Sequence, residues 1–184
     1  MRRLILWRFR LMILTPRLTL RPIQHGDEII LEEMSRDGSF SELGLDSDCA
    51  EWIGEWIDEA ISLAEQDNPR VDYICWIVCL KDDGKVIGTV GNTFYEDTGK
   101  IGITYGIGAE YRQKGYAAEA VKAYLDFFFD HYGEDEIIAT VLDENVSSCK
   151  TAEKAGFDLL DVRMYQDIYD DEPRLYHFYS ARKK

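Results

Sequence analysis

Histidine and cysteine are scarce in this sequence, and their spacing does not suit a metal site. The chain of 184 residues has three histidines and four cysteines, the latter at Cys49, Cys75, Cys79 and Cys149. No two of these cysteines form the C-x-x-C pair that recurs in structural zinc sites. The sequence therefore predicts no metal site, and it favours buried free thiols in a reducing cytoplasm.

Long apolar runs are also missing, which bears on the first residues of the chain. The opening stretch, MRRLILWRFRLM, is interrupted by four arginines. It is too short and too charged to span a bilayer, and it has no small-residue cleavage site of a signal peptide. The segment MILTPRLTLRP, which starts at Met12, is typical of a natural chain start. We therefore expect residues 1 to 11 to be an upstream or non-native extension, and residues 12 to 184 to form one domain.

Basic residues are few compared with acidic ones. The chain has 21 Lys and Arg and 35 Asp and Glu, which gives a formal net charge of −14. A negative field of this size disfavours binding to nucleic acid or to an anionic membrane and favours cationic partners. We expect neither a nucleic-acid nor a membrane partner. The composition leaves open whether the acidity steers a substrate or serves solubility alone.

Hydrophobic periodicity predicts the element order β-α-α-β-β-β-α-β-α-β-β. Alternating or apolar runs suggest strands at RLTLRPI (17 to 23), YICWIVCL (73 to 80), KVIGTVGNTFY (85 to 95), KIGITYGIG (100 to 108) and EIIATVL (136 to 142). The turn sequences KDDG and EDTG favour antiparallel hairpins between the second, third and fourth of these runs. No repeat or proline-rich linker interrupts the chain. We expect a single α/β (α+β) domain with about seven strands and about four helices.

One strand-to-helix connection concentrates glycine and positive charge. Residues 109 to 115, AEYRQKG, lie between a predicted strand and an alanine-rich helix. Gly115 would let an anion approach the backbone closely, while Arg112 and Lys114 add charge beside the amides of a helix N-terminus. The stretch matches neither the dinucleotide fingerprint G-x-G-x-x-G nor the P-loop. The residues alone leave two interpretations open: a phosphate site, or an ordinary surface turn.

Several motifs together resemble the GNAT superfamily of acetyl-CoA-dependent N-acetyltransferases. Arg112-x-x-Gly115-x-Ala117 matches the Q/R-x-x-G-x-G/A signature of that superfamily. GYAAEAV (115 to 121), NVSSCKTAEKAGF (145 to 157) and TPRLTLRPI near the start are similar to its ribosomal-protein N-terminal acetyltransferase branch, the RimJ/RimL type. The element order agrees across residues 12 to 181.

The resemblance implies a central, mixed, mostly antiparallel twisted sheet whose fourth and fifth strands splay apart to admit pantetheine. Acetyl-CoA would be the cosubstrate, with no metal. Its pyrophosphate would rest beside Arg112 on the backbone amides of Gln113, Lys114, Gly115, Tyr116 and Ala117. Pantetheine would bond to the backbone near Ile107 and Gly108. Asn145 would bind the pantetheine amide, cap the following helix, or do both, and Ser148 would protonate the departing thiolate.

The sequence departs from the family at one catalytic position. Many members carry a tyrosine as general acid in the helix after the fifth strand, where this chain has Ala152. Our candidate general base is Glu96, with Asp97, Asp143 and Glu144 as alternatives, although each is otherwise an ordinary solvated turn acid. No Cys–His or Ser–His arrangement is visible, so we expect the amine to attack acetyl-CoA directly in a ternary complex.

The acceptor pocket would lie between the two N-terminal helices and the last hairpin. Both regions are rich in acids and aromatics, namely Trp52, Trp56, Glu51, Glu55, Asp58 and Glu59 in the first, and Tyr165, Asp167, Tyr169, Asp170, Asp171 and Glu172 in the second. This composition suits a cationic primary amine: a protein N-terminus, a polyamine or an amino sugar. The alternative is a non-catalytic acyl-CoA-binding or protein-interaction module on the same fold. A monomer and a homodimer both fit the sequence.

Overall fold

The computed structural model describes residues 11–38, 40–46, 48–167 and 170–183 of the chain. Its helices are α1 (Asp27–Ser35), α2 (Ile53–Glu65), α3 (Tyr116–Tyr132) and α4 (Val146–Ala155). Its strands are β1 (Ile13–Leu14), β2 (Leu18–Pro22), β3 (Tyr73–Leu80), β4 (Val86–Tyr95), β5 (Lys100–Ile107), β6 (Glu136–Leu142), β7 (Asp158–Tyr165) and β8 (Arg174–Arg182). Residues 1–10, on which the expectation of an extension depends, lie outside the described residues.

The eight described strands form one sheet in the order β1-β2-β3-β4-β5-β6-β8-β7. Every neighbouring pair is antiparallel except β5 and β6, which are parallel. The expectation of a mixed, mostly antiparallel sheet is therefore confirmed. The strand count exceeds the expected seven because the two residues of β1 pair with Leu20 and Thr19, a contact too short to leave a periodic signal.

The parallel pair β5 and β6 separates along its length. Gly102 of β5 lies in register with Ile138 of β6, and this is the one registered position of the pair among the described residues. By contrast, β4 stays in register with β5 from Tyr95–Lys100 to Gly88–Ile107. The predicted splay is thus present. We call the end of the pair near Ile107 and Leu142 the divergent end, and the end near Lys100 and Glu136 the convergent end.

The convergent end is held by one carboxylate, that of Glu136. It pairs with Lys100 of β5 and accepts hydrogen bonds from Ser180 Oγ (2.8 Å) and from Arg182 Nε (3.2 Å) of β8. Because one side chain joins three adjacent strands at this end, the sheet opens only towards the divergent end.

Helices cover both faces of the sheet. On one face, α1 and α2 bury Leu31, Ile53 and Ile57 against Cys75 and Ile77 of β3. On the other face, α3 and α4 contribute a larger cluster that packs on β2 to β6 and includes Val121, Tyr124, Phe128, Cys149 and Ala152. All four cysteines are buried and free. No helix among the described residues is both long and apolar enough to cross a membrane.

A buried hydrogen-bonded chain fixes α3 on the sheet. The hydroxyl of Tyr124 donates to Asn92 Oδ1 of β4 (2.7 Å), and the Asn92 amide donates to the carbonyl of Pro69 (3.1 Å). Tyr124 and Asn92 are both fully buried, so each needs a protein partner for its polar group. This chain sets the position of α3, whose N-terminus faces the divergent end.

Candidate functional site

The connection from β5 to α3 places a row of backbone amides at the divergent end. After a short 3-10 turn at Ala109–Tyr111, Gln113 adopts a left-handed φ of 62° and Gly115 one of 80°. Gly115 is the N-cap of α3, and no side chain caps the helix there. The amides of the first helical turn have no acceptor four residues earlier, so they are available to an anion at this end.

The two cations of this loop are tied back to the loop itself. Arg112 Nε donates to the carbonyl of Ile107 (3.0 Å), and Lys114 Nζ donates to the carbonyl of Glu110 (3.1 Å). Both side chains are exposed at their ends. Their charge is therefore held beside the amides of the loop, where it adds to the positive end of the α3 dipole.

The two residues at the end of β5 direct their backbone groups differently. The Gly108 amide donates to the carbonyl of Ile87 in β4 (3.0 Å), so it faces β4. Successive residues of a strand point their backbone groups to alternate sides. The groups of Ile107 and Tyr105 therefore face the gap between β5 and β6. Of the two positions expected to meet pantetheine, the structure directs Ile107 to the gap and Gly108 away from it.

Two residues that the sequence analysis did not single out, Arg17 and Glu119, hold the loop in place. Arg17, just before β2, donates from Nη1 to the carbonyl of Lys114 (2.9 Å) and from Nε to Glu119 of α3 (2.6 Å). The same guanidinium lies 4.6 Å from the ring centroid of Tyr116. We call this arrangement the Arg17–Glu119 brace. Its members are 102 residues apart in sequence, so no local pattern could have revealed the pairing.

Glu119 is held in its charged form within the brace. Burial opposes its ionisation, but hydrogen bonds from Thr15 Oγ1 (2.6 Å) and from the backbone and guanidinium of Arg17 outweigh this and lower its pKa. Lowering the pKa of a carboxyl group favours the charged form, which Arg17 needs as a partner. The brace therefore combines a neutralised ion pair with a direct bond to the loop backbone.

The N-terminus of α4 lies across the gap from β5. Asn145 Oδ1 accepts hydrogen bonds from the Ser148 amide and from Ser147 Oγ (both 3.0 Å), so its predicted role as N-cap is confirmed. The carbonyl of Ser148 accepts a hydrogen bond from the phenol of Tyr105 (3.1 Å). Tyr105, another residue missed from the sequence, thus brings β5 and the first turn of α4 together and places a second hydroxyl group beside Ser148.

The candidate bases do not gather at this site. Glu96 and Asp97 lie in the turn between β4 and β5, beyond the convergent end. The seven steps along β5 from Lys100 to Ile107 span about 23 Å at ~3.3 Å per residue, so the structure does not bring Glu96 to the glycine loop. Asp143 and Glu144 do follow β6 at the divergent end, where Asp143 contacts His177 Nε2 (2.8 Å) and Glu144 pairs with Arg174 (3.3 Å).

The segment between α1 and α2 reaches the divergent end on the face opposite α3. A Cβ added at Gly106 of β5 would lie 2.6 Å from Leu43 Cδ1 and 3.0 Å from Phe40 Cε1. Glycine at this position is therefore what allows the segment to pack directly on the strand. The β7–β8 hairpin ends nearby, because Tyr176 of β8 is in register with Leu142, the last residue of β6.

The predicted acceptor residues of α2 are partly occupied by internal contacts. Trp56 stacks on Tyr73 with ring centroids 5.9 Å apart, and the Tyr73 hydroxyl donates to Glu59 (2.8 Å). Burial and the Glu59 carboxylate together raise the pKa of Tyr73. Asp58 lies 3.6 Å from His25 Nδ1. Trp52, Glu51 and Glu55 are exposed.

In the hairpin, Asp170 serves as a structural acceptor. Its carboxylate receives hydrogen bonds from the Tyr176 hydroxyl (2.6 Å) and the Asp167 amide (3.1 Å). The first of these bonds is the main reason that the pKa of Asp170 is lowered. Tyr169 lies outside the described residues. Asp171 and Glu172 are exposed, so they and not Asp170 supply the accessible negative charge of the hairpin.

The sequence profile of the acetyltransferase (GNAT) domain matches residues 17–158. The chain belongs to the GNAT acetyltransferase family. Among the relatives of this GNAT protein is the uncharacterized N-acetyltransferase YjdG of Bacillus subtilis strain 168, 29% identical over 152 residues that cover 79% of this chain and 88% of that protein. The chain is thus an acetyltransferase by family.

Solved structures agree with this GNAT fold. A GNAT-family acetyltransferase from Bacillus anthracis superposes with a TM-score of 0.77 at 20% identity, covering 94% of this chain and 98% of the other. The RimL ribosomal L7/L12 α-N-protein acetyltransferase in complex with coenzyme A gives a TM-score of 0.75 at 12% identity, with 94% and 98% covered. Among the described residues of this chain, no group of three or more His, Cys, Asp and Glu side chains is arranged to hold a metal ion.

Proposed function

We propose that this GNAT enzyme transfers the acetyl group of acetyl-CoA to a cationic primary amine by direct attack in a ternary complex. The observation that carries the proposal is the glycine-capped N-terminus of α3 at the divergent end of β5 and β6. It combines backbone amides, the positive end of a helix dipole and two tethered cations next to a gap between strands. A pyrophosphate followed by an extended amide-bearing chain is the ligand chemistry that this combination suits.

The residues of the loop fit a pyrophosphate. The amides of Gln113, Lys114, Gly115, Tyr116 and Ala117 would donate to its oxygens, while Arg112 and Lys114 would balance its charge. Gly115 leaves the approach to the backbone open, because the nearest atom to an added Cβ there is Arg17 Nη2, at 3.5 Å. The pantetheine arm would then pair with the gap-facing backbone of Tyr105 and lie along that of Ile107, as an added strand does at a sheet edge.

The chemistry follows from this placement. The ammonium group of the acceptor first loses a proton to water, which frees the nitrogen lone pair. The neutral amine nitrogen then attacks the thioester carbonyl carbon, a new N–C bond forms, and the C–S bond breaks. The second proton lost by this nitrogen also leaves through water. Ser148, in the first turn of α4 beside the Tyr105 phenol, protonates the departing thiolate. A backbone amide of β5 that faces the gap, with Ile107 as the candidate, stabilises the oxyanion. The reaction as proposed uses no metal ion.

The acceptor would enter between the α1–α2 segment and the β7–β8 hairpin, both of which reach the divergent end. Exposed acids on each side, including Glu55 of α2 and Asp171 and Glu172 of the hairpin, favour a positively charged acceptor. A peptide N-terminus, a polyamine and an amino sugar all satisfy this chemistry. The RimL neighbour is a ribosomal L7/L12 α-N-protein acetyltransferase, which makes a peptide N-terminus the first acceptor to assay.

The acetyl-CoA site is tested by adding a charge and a side chain to the loop. Gly115→Asp should weaken acetyl-CoA binding by at least ~100-fold, equivalent to ~2.7 kcal/mol, because a carboxylate would occupy the position of the pyrophosphate. Isothermal titration calorimetry measures this directly. The matched control is Gly133→Asp at the other end of α3, where φ is also left-handed at 72° and an added Cβ meets no atom within 4 Å. Both variants carry a similar backbone strain of ~1 kcal/mol. Unchanged affinity in Gly115→Asp would refute the site.

One observation favours a second candidate function. Ala152, at the position where many family members carry the acidic tyrosine, is fully buried and offers no hydroxyl group. A non-catalytic acyl-CoA-binding module would need none. The two functions separate in an assay of acetyl-CoA turnover against a panel of peptide, polyamine and amino-sugar acceptors. Tight acetyl-CoA binding without transfer to any acceptor would favour the binding module.

A further inference from the structure

Strand β7 forms the exposed end of the sheet. It pairs with β8 on one side, and among the described residues no strand lies on its other side. All eight of its residues, Asp158–Tyr165, are exposed. Natural proteins usually shorten, cover or charge an edge of this length, because its free backbone groups are a template for another strand.

The side chains of this edge include a set of exposed apolar residues. Leu160 is 60% exposed, Val162 41% and Met164 61%. Val162 and Met164 project to the same face, since they lie opposite His177 and Leu175 of β8. Leu175 adds a further apolar side chain there, at 39% exposure. Val162, Met164 and Leu175 thus form an apolar group on one face at the sheet edge, which is typical of an interaction surface.

One backbone amide and two charged side chains of β7 are satisfied within the strand itself. The Val162 amide donates to the carboxylate of its neighbour Asp161 (2.9 Å), and the second oxygen of that carboxylate pairs with Arg163 (2.9 Å). Asp161 and Arg163 are both exposed. A carboxylate in this position shields an edge amide that lacks a strand partner, and it can be exchanged for the carbonyl of an incoming strand.

The sequence of β7 is complementary to itself. In an antiparallel pair of two identical strands centred on Val162, Asp161 lies opposite the partner's Arg163. Leu160, where the register of β7 against β8 shifts, comes opposite the partner's Met164 in the same pairing. Val162 lies opposite its own copy. Each opposing pair joins opposite charges or two apolar side chains, the combinations that stabilise antiparallel strands. Centring the pair on Asp161 or on Arg163 would instead place like charges at the axis.

We propose that two copies of this chain associate through β7, antiparallel about a two-fold axis at Val162, to form one continuous sheet. The contact is isologous, because the same strand serves both protomers. The partner is a second copy because, in an antiparallel pair, Asp161 of each protomer faces Arg163 of the other. Two protomers that each carry a net charge of −14 repel one another, so the association strengthens as salt screens them.

The register is tested by cysteine crosslinking. The four native cysteines are buried, so an introduced surface thiol reacts alone. Val162→Cys places a thiol opposite its own copy, at a Cα separation of ~4.5–5.5 Å that suits a disulfide. Oxidation with diamide should convert this variant to a covalent dimer on non-reducing electrophoresis. Leu160→Cys and Met164→Cys should each form no covalent dimer when oxidised alone, and should crosslink to one another when mixed. Failure of Val162→Cys to crosslink, or self-crosslinking of all three, would overturn the register.

The charge pattern is tested by exchange. Asp161→Arg and Arg163→Asp each oppose like charges across the axis and should dissociate the dimer, whereas the double variant restores the pairing and the dimer. Sedimentation velocity from ~1 to ~100 µM covers the range in which such contacts form. Leu14→Lys, on the exposed β1 at the other edge of the sheet, is the control and should leave the dimer intact. A wild-type protein that stays monomeric throughout, or a double variant that does not regain the dimer, contradicts the proposal.

Discussion

Arg17 lies far from the glycine loop in sequence, yet its guanidinium bonds to the Lys114 carbonyl and to Glu119. We therefore regard it as a positioning residue for the loop. Arg17→Ala should raise the KM for acetyl-CoA by ~10-fold, or ~1.4 kcal/mol, because the loop amides lose their fixed arrangement. The kcat should change by less than ~2-fold, since the brace does not touch the reacting atoms. Steady-state kinetics with varied acetyl-CoA measures both values.

A second ion pair in the chain provides a control for the loss of stability in Arg17→Ala. Arg70 and Glu134 also form an ion pair through two guanidinium nitrogens, with side-chain exposures of 47% and 18% against 48% and 17% for Arg17 and Glu119. Arg70→Ala should therefore lower the melting temperature about as much as Arg17→Ala while leaving the KM for acetyl-CoA unchanged. Arg17→Lys, which keeps the charge but loses the two-pronged geometry, should recover the KM only in part. Equal KM values for the two alanine variants would refute the positioning role.

The first turn of α4 carries the Ser148 hydroxyl and accepts a hydrogen bond from the Tyr105 phenol, and the roles of these two groups can be separated. Ser148→Ala should lower kcat by ~100-fold, at the low end of general acid catalysis, if its hydroxyl protonates the thiolate. Tyr105→Phe removes the bond to the Ser148 carbonyl and should cost less, because the serine stays in place. Single-turnover kinetics on both variants decides the matter. A large loss in Tyr105→Phe with little change in Ser148→Ala would assign the proton to the phenol.

Among the elements, β6 is linked to the ends of both β5 and β8 by the side chain of Glu136. Hydrogen bonds from Lys100 and then Ser180 are the main causes that lower the pKa of Glu136 from 4.5 to about 2. A lowered pKa in the folded state stabilises the fold above the unfolded pKa, and the contribution is lost as the pH falls towards the folded value. Glu136→Gln should thus cost ~1 kcal/mol at pH 7, with the difference from wild type shrinking between about pH 4.5 and about 2.

Thermal unfolding of both proteins across this pH range measures the effect. Glu33→Gln, at an exposed position of α1, removes one carboxylate without touching the convergent end and serves as the control for net charge. A wild-type advantage that persists undiminished at pH 2 would contradict the assignment of the stabilisation to the ionised Glu136.

At the scale of the whole molecule, the net charge of −14 should act on the acceptor. A cationic amine is attracted over a distance set by the Debye length, ~10 Å at 0.1 M salt. Raising the ionic strength from ~20 to ~300 mM should therefore increase the KM of the amine, and more for an acceptor with three charges than for one with a single charge. Equal salt dependence for acceptors of different charge would leave the acidity without a role in catalysis.

The fold and the glycine loop could be predicted closely because both depend on local patterns. Strand alternation, turn sequences such as KDDG, and the N-cap at Asn145 each involve residues a few positions apart. The location of Glu96 could not be predicted in this way. Glu96 follows a strand, as Asp143 does, but its strand runs in the opposite direction and places it beyond the convergent end. Asp170 is a similar case. The sequence suggested that it binds the acceptor, but in the structure it accepts a hydrogen bond from Tyr176.

The sequence by itself determined which segments become strands and helices, the placement of glycine and basic residues at 112–117 before a helix, and the GNAT family. Only the tertiary structure decided which distant side chains support that loop, where β5 and β6 part, and which acids remain accessible. The physical reason is the separation in sequence of the residues that interact. Backbone preferences and helix ends are encoded by neighbours within one or two turns. The pairing of Arg17 with Glu119 and the exposure of β7 depend instead on how sheet and helices pack across more than a hundred residues.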